Sequence, residues 1–272
     1  MFSDEVNIKI AILKKIGGMK LKAISIFLCT FLLTAICVAE ETEYLDWRGS
    51  QLYSSQNYTD ALSYFDQAVS QDPNYIDAWI HKGNTQRALR DYEGSIQSYN
   101  AALKIDDSKD AAWSGIADSY TTLKNYVNAS AAAAKATELN DKSAYYWLRE
   151  GNLLQTQGKY KEAVAKYDGA LALNPEYKDA LYKKSISLMY QGNAIEAEKL
   201  IDQVLVIDPA YKLAHNAKGF ILEANGTFEE ALQSYDKALE IDPGYAQALN
   251  NKMHVLLALK KQNDAMQIFV KI

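Results

Sequence analysis

The sequence predicts an all-α fold, a stack of helix pairs that repeats every 34 residues from Thr42 onward. Three observations carry that prediction. The phrase DPNYIDAW at 72–79 returns as NPEYKDAL, DPAYKLAH and DPGYAQAL, starting at 174, 208 and 242, which are whole multiples of 34 from 72. Small and large residues hold fixed places within each 34-residue block. Apolar residues between the breaks fall at separations of three and four, the spacing that puts them on one face of a helix.

Composition agrees. The chain has 272 residues with 49% hydrophobic, 23% charged and only 4 Pro and 13 Gly, which suits a packed core and not a disordered or collagen-like chain. Residues 40–272 hold 24 basic against 32 acidic side chains, an excess that repels phosphate backbones and speaks against a nucleic-acid partner. Both cysteines, Cys29 and Cys37, precede the repeats, so no disulfide framework and no Cys-ligated zinc site is expected within them.

The first element is residues 1–39. Its apolar run, 23–39, follows Lys14, Lys15, Lys20 and Lys22 and precedes Glu40, Glu41 and Glu43, the charge layout of an export signal. Met19 then reads as an alternative start. The run is either a signal peptide cleaved after Ala39, a short membrane anchor, or a buried helix; Cys37 as a lipid site is a weak signal beside bulky Ile36. The first two place the remainder outside the cytoplasm, and the second adds membrane contact through 23–39.

The repeats then follow as 42–75, 76–109, 110–143, 144–177, 178–211, 212–245 and a last, truncated 246–272. In order, their eighth places are Gly49, Gly83, Ala117, Gly151, Ser185, Gly219 and Met253, and their twentieth Ala61, Ser95, Ala129, Ala163, Ala197, Ala231 and Ala265. Small residues there let two helices cross closely. The twenty-fourth places are Phe65, Tyr99, Ala133, Tyr167, Ile201, Tyr235 and Phe269, and the fourth Leu45, Trp79, Trp113, Trp147, Leu181, His215 and Leu249; these fill the space around the crossing. In 144–177, YYWLREGNLLQTQ makes a first helix, Gly158 and Lys159 break it, and YKEAVAKYDGALAL makes a second, closed by Asn174-Pro175. The block 110–143 departs. Asp107 and Asp141 replace the corner proline on either side, and NASAAAAKATEL offers alanine where other blocks carry aromatics, reading as a softer joint or a closer approach. The last block leaves Phe269 and Ile272 either as part of a short cap or as a dimer or partner contact.

These in-phase units resemble the tetratricopeptide repeat family from Thr42 to the C-terminus. The resemblance implies a right-handed α-solenoid of antiparallel helix pairs with a concave groove lined by places 2, 5, 6, 9, 12 and 13 of each first helix. One subclass of the family clamps a C-terminal carboxylate with basic and amide residues. The best window here supplies Ile80, Asn84, Gly115, Tyr145 and Arg149, of which only Asn84 and Arg149 match, so that clamp is not expected. Arg149 and Lys183 share one inner place in adjacent repeats, with Asn152, Tyr182 and Asn216 nearby. They read as contacts for an acidic or hydrogen-bond-rich peptide, or as solvated groove polars partly paired with Asp179.

No catalytic constellation, cofactor loop or metal set is legible, because His81, His215 and His254 stand at different repeat places. His215 reads as a core or half-buried histidine in place of a packing aromatic, ahead of any ligand role. Asn57, Asn128 and Asn225 open Asn-x-Ser/Thr sequons at or beside the turn within a pair, candidate N-glycosylation sites in an exported chain. The function expected is a non-catalytic protein- or peptide-binding scaffold, exported or membrane-tethered. The alternatives are an envelope assembly factor or chaperone, and an accessory subunit of an enzyme complex.

Overall fold

The computed structural model describes residues 39–269, apart from the Phe269 side chain. The leader up to residue 38, Ile272 and the Phe269 side chain therefore lie outside the described residues. Among the described residues there is no strand, and no helix is long and apolar enough to cross a membrane.

Cα packing divides the chain into two bodies, one ending at Ser108 and one starting at Lys109. The first body holds α1 (39–54), α2 (Tyr58–Gln71), α3 (Ile76–Ala88) and α4 (Tyr92–Ile105). The second holds α5 (Asp110–Thr122), α6 (Tyr126–Leu139), α7 (Ala144–Thr156), α8 (Tyr160–Leu173), α9 (Lys178–Tyr190), α10 (Ala194–Ile207), α11 (Lys212–Ala224), α12 (Phe228–Ile241), α13 (Ala246–Ala258) and α14 (Gln262–Phe269). From α2 to α13 the helix limits recur every 34 residues without slippage. In the second body each helix packs on the next, and the first helices of successive pairs also touch: α7 with α9, α9 with α11, α11 with α13.

The turn inside each pair is the same backbone device. The fifteenth place has positive φ in every block, at Gln56, Arg90, Lys124, Gly158, Gly192, Gly226 and Lys260. Its N–H and that of the next residue fold back onto the end of the first helix, as in Arg90 N to Arg87 O at 2.9 Å and Asp91 N to Gln86 O at 2.8 Å. This double bond pattern satisfies carbonyls that a helix end would otherwise leave bare. Glycine takes that conformation without strain; the four other residues there bear a cost of about 1 kcal/mol each. At the next place Asp91, Asn125 and Asn193 cap the second helix by accepting the N–H of Gly94, Asn128 and Glu196.

The corner between pairs explains the recurring Asp-Pro phrase. The side chain of Asp72, Asp106, Asn174, Asp208 or Asp242 accepts the backbone N–H two residues on, at 2.9 to 3.2 Å, building a turn that proline stiffens at each of these but Asp106, where Asp107 follows. Above it, the place-four ring donates to the corner carbonyl: Trp79 Nε1 to Pro73 O at 2.9 Å, Trp147 Nε1 to Asp141 O at 2.8 Å, His215 Nε2 to Pro209 O at 2.8 Å. His215 is thus buried as a tryptophan replacement whose ring N–H does the same task.

Within a pair, packing turns on one contact. Phe65, Tyr99, Tyr167 and Tyr235 are almost wholly buried, and each ring lies over the glycine at place eight. A Cβ on Gly49, Gly83, Gly151 or Gly219 would come within 2.6 Å of that ring. Small residues there are a steric demand of the ring and not only of the helix crossing.

Candidate functional site

The face shared by α7, α9, α11 and α13 is where side chains are left for a partner. The helix register that buries Leu148, Leu181, Ala214 and Ala248 against neighbouring helices turns other positions outward. Tyr145, Tyr190, Phe220 and Leu257 are exposed there, Tyr190 to 67%. Tyr190 is held flat against Tyr160, ring centroids 4.6 Å apart, so its other face presents rigid aromatic area.

The residues singled out from sequence separate into three groups. Arg149 faces Asp118 in an ion pair, with its guanidinium also over the Tyr145 ring at 5.7 Å. Its charge is therefore already engaged from the preceding pair. Asn152 accepts the hydroxyl of buried Tyr167 at 3.1 Å, and Asn216, itself buried, accepts Asn251 Nδ2 at 3.1 Å; both are structural bonds of this body. Lys183 and Tyr182 remain. The Lys183 ammonium has no acidic partner among the described residues and sits 6.0 Å from the Tyr182 ring. Tyr182 packs edge-on against Tyr211 at 5.5 Å, and burial pushes its phenol pKa up to about 12, so it acts as a neutral donor. Asn84 belongs to the first body, where its Oδ1 accepts the Tyr99 hydroxyl at 2.8 Å. Asp179 touches the Tyr211 hydroxyl at 3.4 Å.

The sequons are exposed at Asn57, Asn128 and Asn225. Their third residues differ: Ser130 accepts Gln157 Nε2 at 2.6 Å, whereas Thr227 donates to Leu222 O at 2.9 Å. No cluster of His, Cys, Asp and Glu that could hold a metal ion occurs among the described residues.

Sequence reasoning missed a ladder of charge. An aspartate on the second helix of one pair meets a lysine sixteen residues on, in the first helix of the next: Asp66–Lys82 at 2.7 Å, Asp168–Lys184 at 2.8 Å, Asp202–Lys218 at 2.6 Å, and Asp236–Lys252. The signal was there as a repeated Asp and Lys at fixed separation, but it reads as surface charge until a register is imposed. At the junction from α6 to α7 the two places hold Ala134 and Glu150, and Glu150 turns instead to Lys166 at 2.8 Å within its own pair.

A family model described as tetratricopeptide repeat matches residues 48–111, 82–144 and 182–246, and a second model of that description matches 144–177. The chain belongs to the tetratricopeptide repeat family. Among solved structures, this tetratricopeptide repeat protein is similar to YrrB, described as a TPR protein with an unusual peptide-binding site, at 24% identity over 69% of this chain and 97% of that one, with a TM-score of 0.61. It is similar to MamA at 25% identity over 61% and 96%, TM-score 0.57. A tetratricopeptide repeat protein from Parabacteroides merdae is 17% identical over 85% and 92%, TM-score 0.69. At such identities the likeness concerns the fold. A comparison with curated proteins finds no match. The fold is that of a protein–protein interaction scaffold.

Proposed function

We propose that the chain is a non-catalytic scaffold, exported or membrane-tethered, that holds a peptide segment of a partner protein against the α7–α9–α11–α13 face. One observation carries this reading. That face keeps large apolar side chains exposed, Tyr190, Phe220 and Leu257, beside a lysine, Lys183, that has no acidic partner among the described residues. Exposed aromatics on rigid helices lose little entropy on binding, and a half-buried ammonium selects a carboxylate. The favoured ligand is therefore an apolar segment with an acidic residue. The membrane or export component rests on the basic, apolar and acidic order around 23–39.

The test is crosslinking capture from the membrane fraction with the native chain and with a Lys183→Glu/Phe220→Ser variant. Loss of the captured partner with an unchanged melting temperature is expected. Equal capture by both proteins overturns the proposed face. Arg149→Glu is unsuitable for this purpose, because it would place two carboxylates together at Asp118 and test folding instead.

A further inference from the structure

The body that ends at Ser108 carries a pocket of about 230 Å³ lined by Ser50, Tyr53, Ser54, Phe65, His81 and Asn84. Its residues come from α1, α2 and α3. The Phe65 ring, nearly inaccessible to solvent, is the apolar component of the lining, and the Tyr53 ring stands at the rim. The polar atoms are of two kinds. His81 Nδ1 is 2.8 Å from Asp46 Oδ1, so it donates there and leaves Nε2 as the ring's second polar atom. Asn84 already accepts the Tyr99 hydroxyl at its oxygen, and its two amide N–H groups are the donors it can turn to a ligand. Among the described residues neither His81 Nε2 nor the Asn84 amide nitrogen has a hydrogen-bond partner, and neither does the Ser50 hydroxyl. One imidazole acceptor, one amide donor, the Ser50 hydroxyl and the edge of an apolar ring therefore line one small space. Trp47, 54% exposed, shares a helix face with Ser50 and Ser54 at spacings of three and seven.

We propose that this pocket is an anchor site for a tyrosine side chain of a partner protein. The ring enters beside Tyr53 and reaches only the edge of Phe65, the phenol O–H donates to His81 Nε2, and Asn84 Nδ2 donates to the phenol oxygen. Trp47 covers the residue beside the anchor. A phenylalanine would leave both polar atoms unanswered, and a carboxylate would bring negative charge toward Asp46 and Asp77. The inference rests on the reading of the chain as a peptide binder but uses residues separate from the α7–α9–α11–α13 face, so each can fail without the other.

The dyad gives the site a pH sign. The hydrogen bond to Asp46 holds the His81 imidazole above its ordinary pKa, with burial pulling the opposite way and Asp46 and Asp77 adding attraction. Asp66 on α2 is paired with Lys82 at 2.7 Å, and the Tyr99 phenol of α4 donates to Asn84 and also meets the Arg87 guanidinium of α3 and the field of Tyr53 on α1. Protonation of His81 removes the acceptor, so a phenol binds less well as pH falls, whereas a carboxylate would bind better.

The experiment uses p-cresol, toluene and propionate as probes on the full chain, followed by ligand-observed NMR between about pH 5.5 and about pH 8, across the histidine range. Expected is p-cresol binding at least about five-fold tighter than toluene, as one or two hydrogen bonds require, and weakening toward low pH. Ser50→Leu should fill the pocket and abolish it. His81→Gln, whose amide keeps an acceptor and does not titrate, should leave it flat with pH. Equal binding of toluene, preference for propionate, a pH trend of opposite sign, or p-cresol binding untouched by Ser50→Leu overturns the proposal.

Discussion

The pair α5–α6 and the pair α7–α8 share a backbone but fill it differently. In α7–α8 the Tyr167 ring lies on Gly151, and its hydroxyl ends on Asn152. In α5–α6 the corresponding places are Ala133, Ala117 and Asp118, and the buried face of α6 is Ala129, Ala132, Ala133 and Ala136. The volume of one ring has been removed, and part of it returned as a Cβ on the opposite helix. A recess stays, lined by Ala117, Ala133, Asp118 and Arg149, and the Arg149–Asp118 ion pair occupies its edge. Arg149 looks like a ligand in the sequence because its repeat place faces outward. It is engaged because the preceding pair lacks a tyrosine and offers an acid at the place where Asn84 and Asn152 stand.

That contrast can be broken at its strongest point first. Tyr167→Ala should destabilise by about 3–5 kcal/mol, the cost of emptying a buried aromatic site, and thermal melting followed by circular dichroism reads it. Next, Ala133→Tyr should cost about 1–3 kcal/mol by driving a ring against the Ala117 Cβ. Ala117→Gly in the same chain should recover most of that loss, since it recreates the glycine–ring contact of the other pairs; no recovery in the double variant would mean the two places are not coupled. The smallest effect compares the turns. Gly158→Ala should destabilise by about 1 kcal/mol, because φ is +74° there, while Lys124→Gly at φ 59° should be stabilising by up to about the same amount. Urea midpoints at constant slope would measure both.

Much of this was legible without coordinates. Place-eight glycines and place-twenty-four aromatics mark the pairs, and the Asp-Pro phrase marks each corner, because steric size and backbone freedom are local properties that a 34-residue register repeats. The turn device was legible at Gly158, Gly192 and Gly226 and hidden at Gln56, Arg90, Lys124 and Lys260, where the surrounding hydrogen bonds impose the conformation on residues that do not prefer it. Asn84, Asn152 and Asn216 read as groove amides, yet each already accepts a hydrogen bond from a group 15 or 35 residues away. Asp118 stands at the same place as Asn84 and Asn152, and nothing in its local sequence marks it as the partner of Arg149.

The amino-acid order alone determined that this chain forms helix pairs on a 34-residue register and which side chains must be small, since those follow from periodicity and volume. Tertiary structure alone decided which polar groups are already answered. Arg149 is neutralised by an acid 31 residues earlier in the chain, Lys183 is left to face outward, and His81 is fixed by Asp46 from a different helix. The physical reason is that a hydrogen bond or ion pair depends on distances of a few ångströms between atoms of separate helices, and no local pattern of residue types contains that distance.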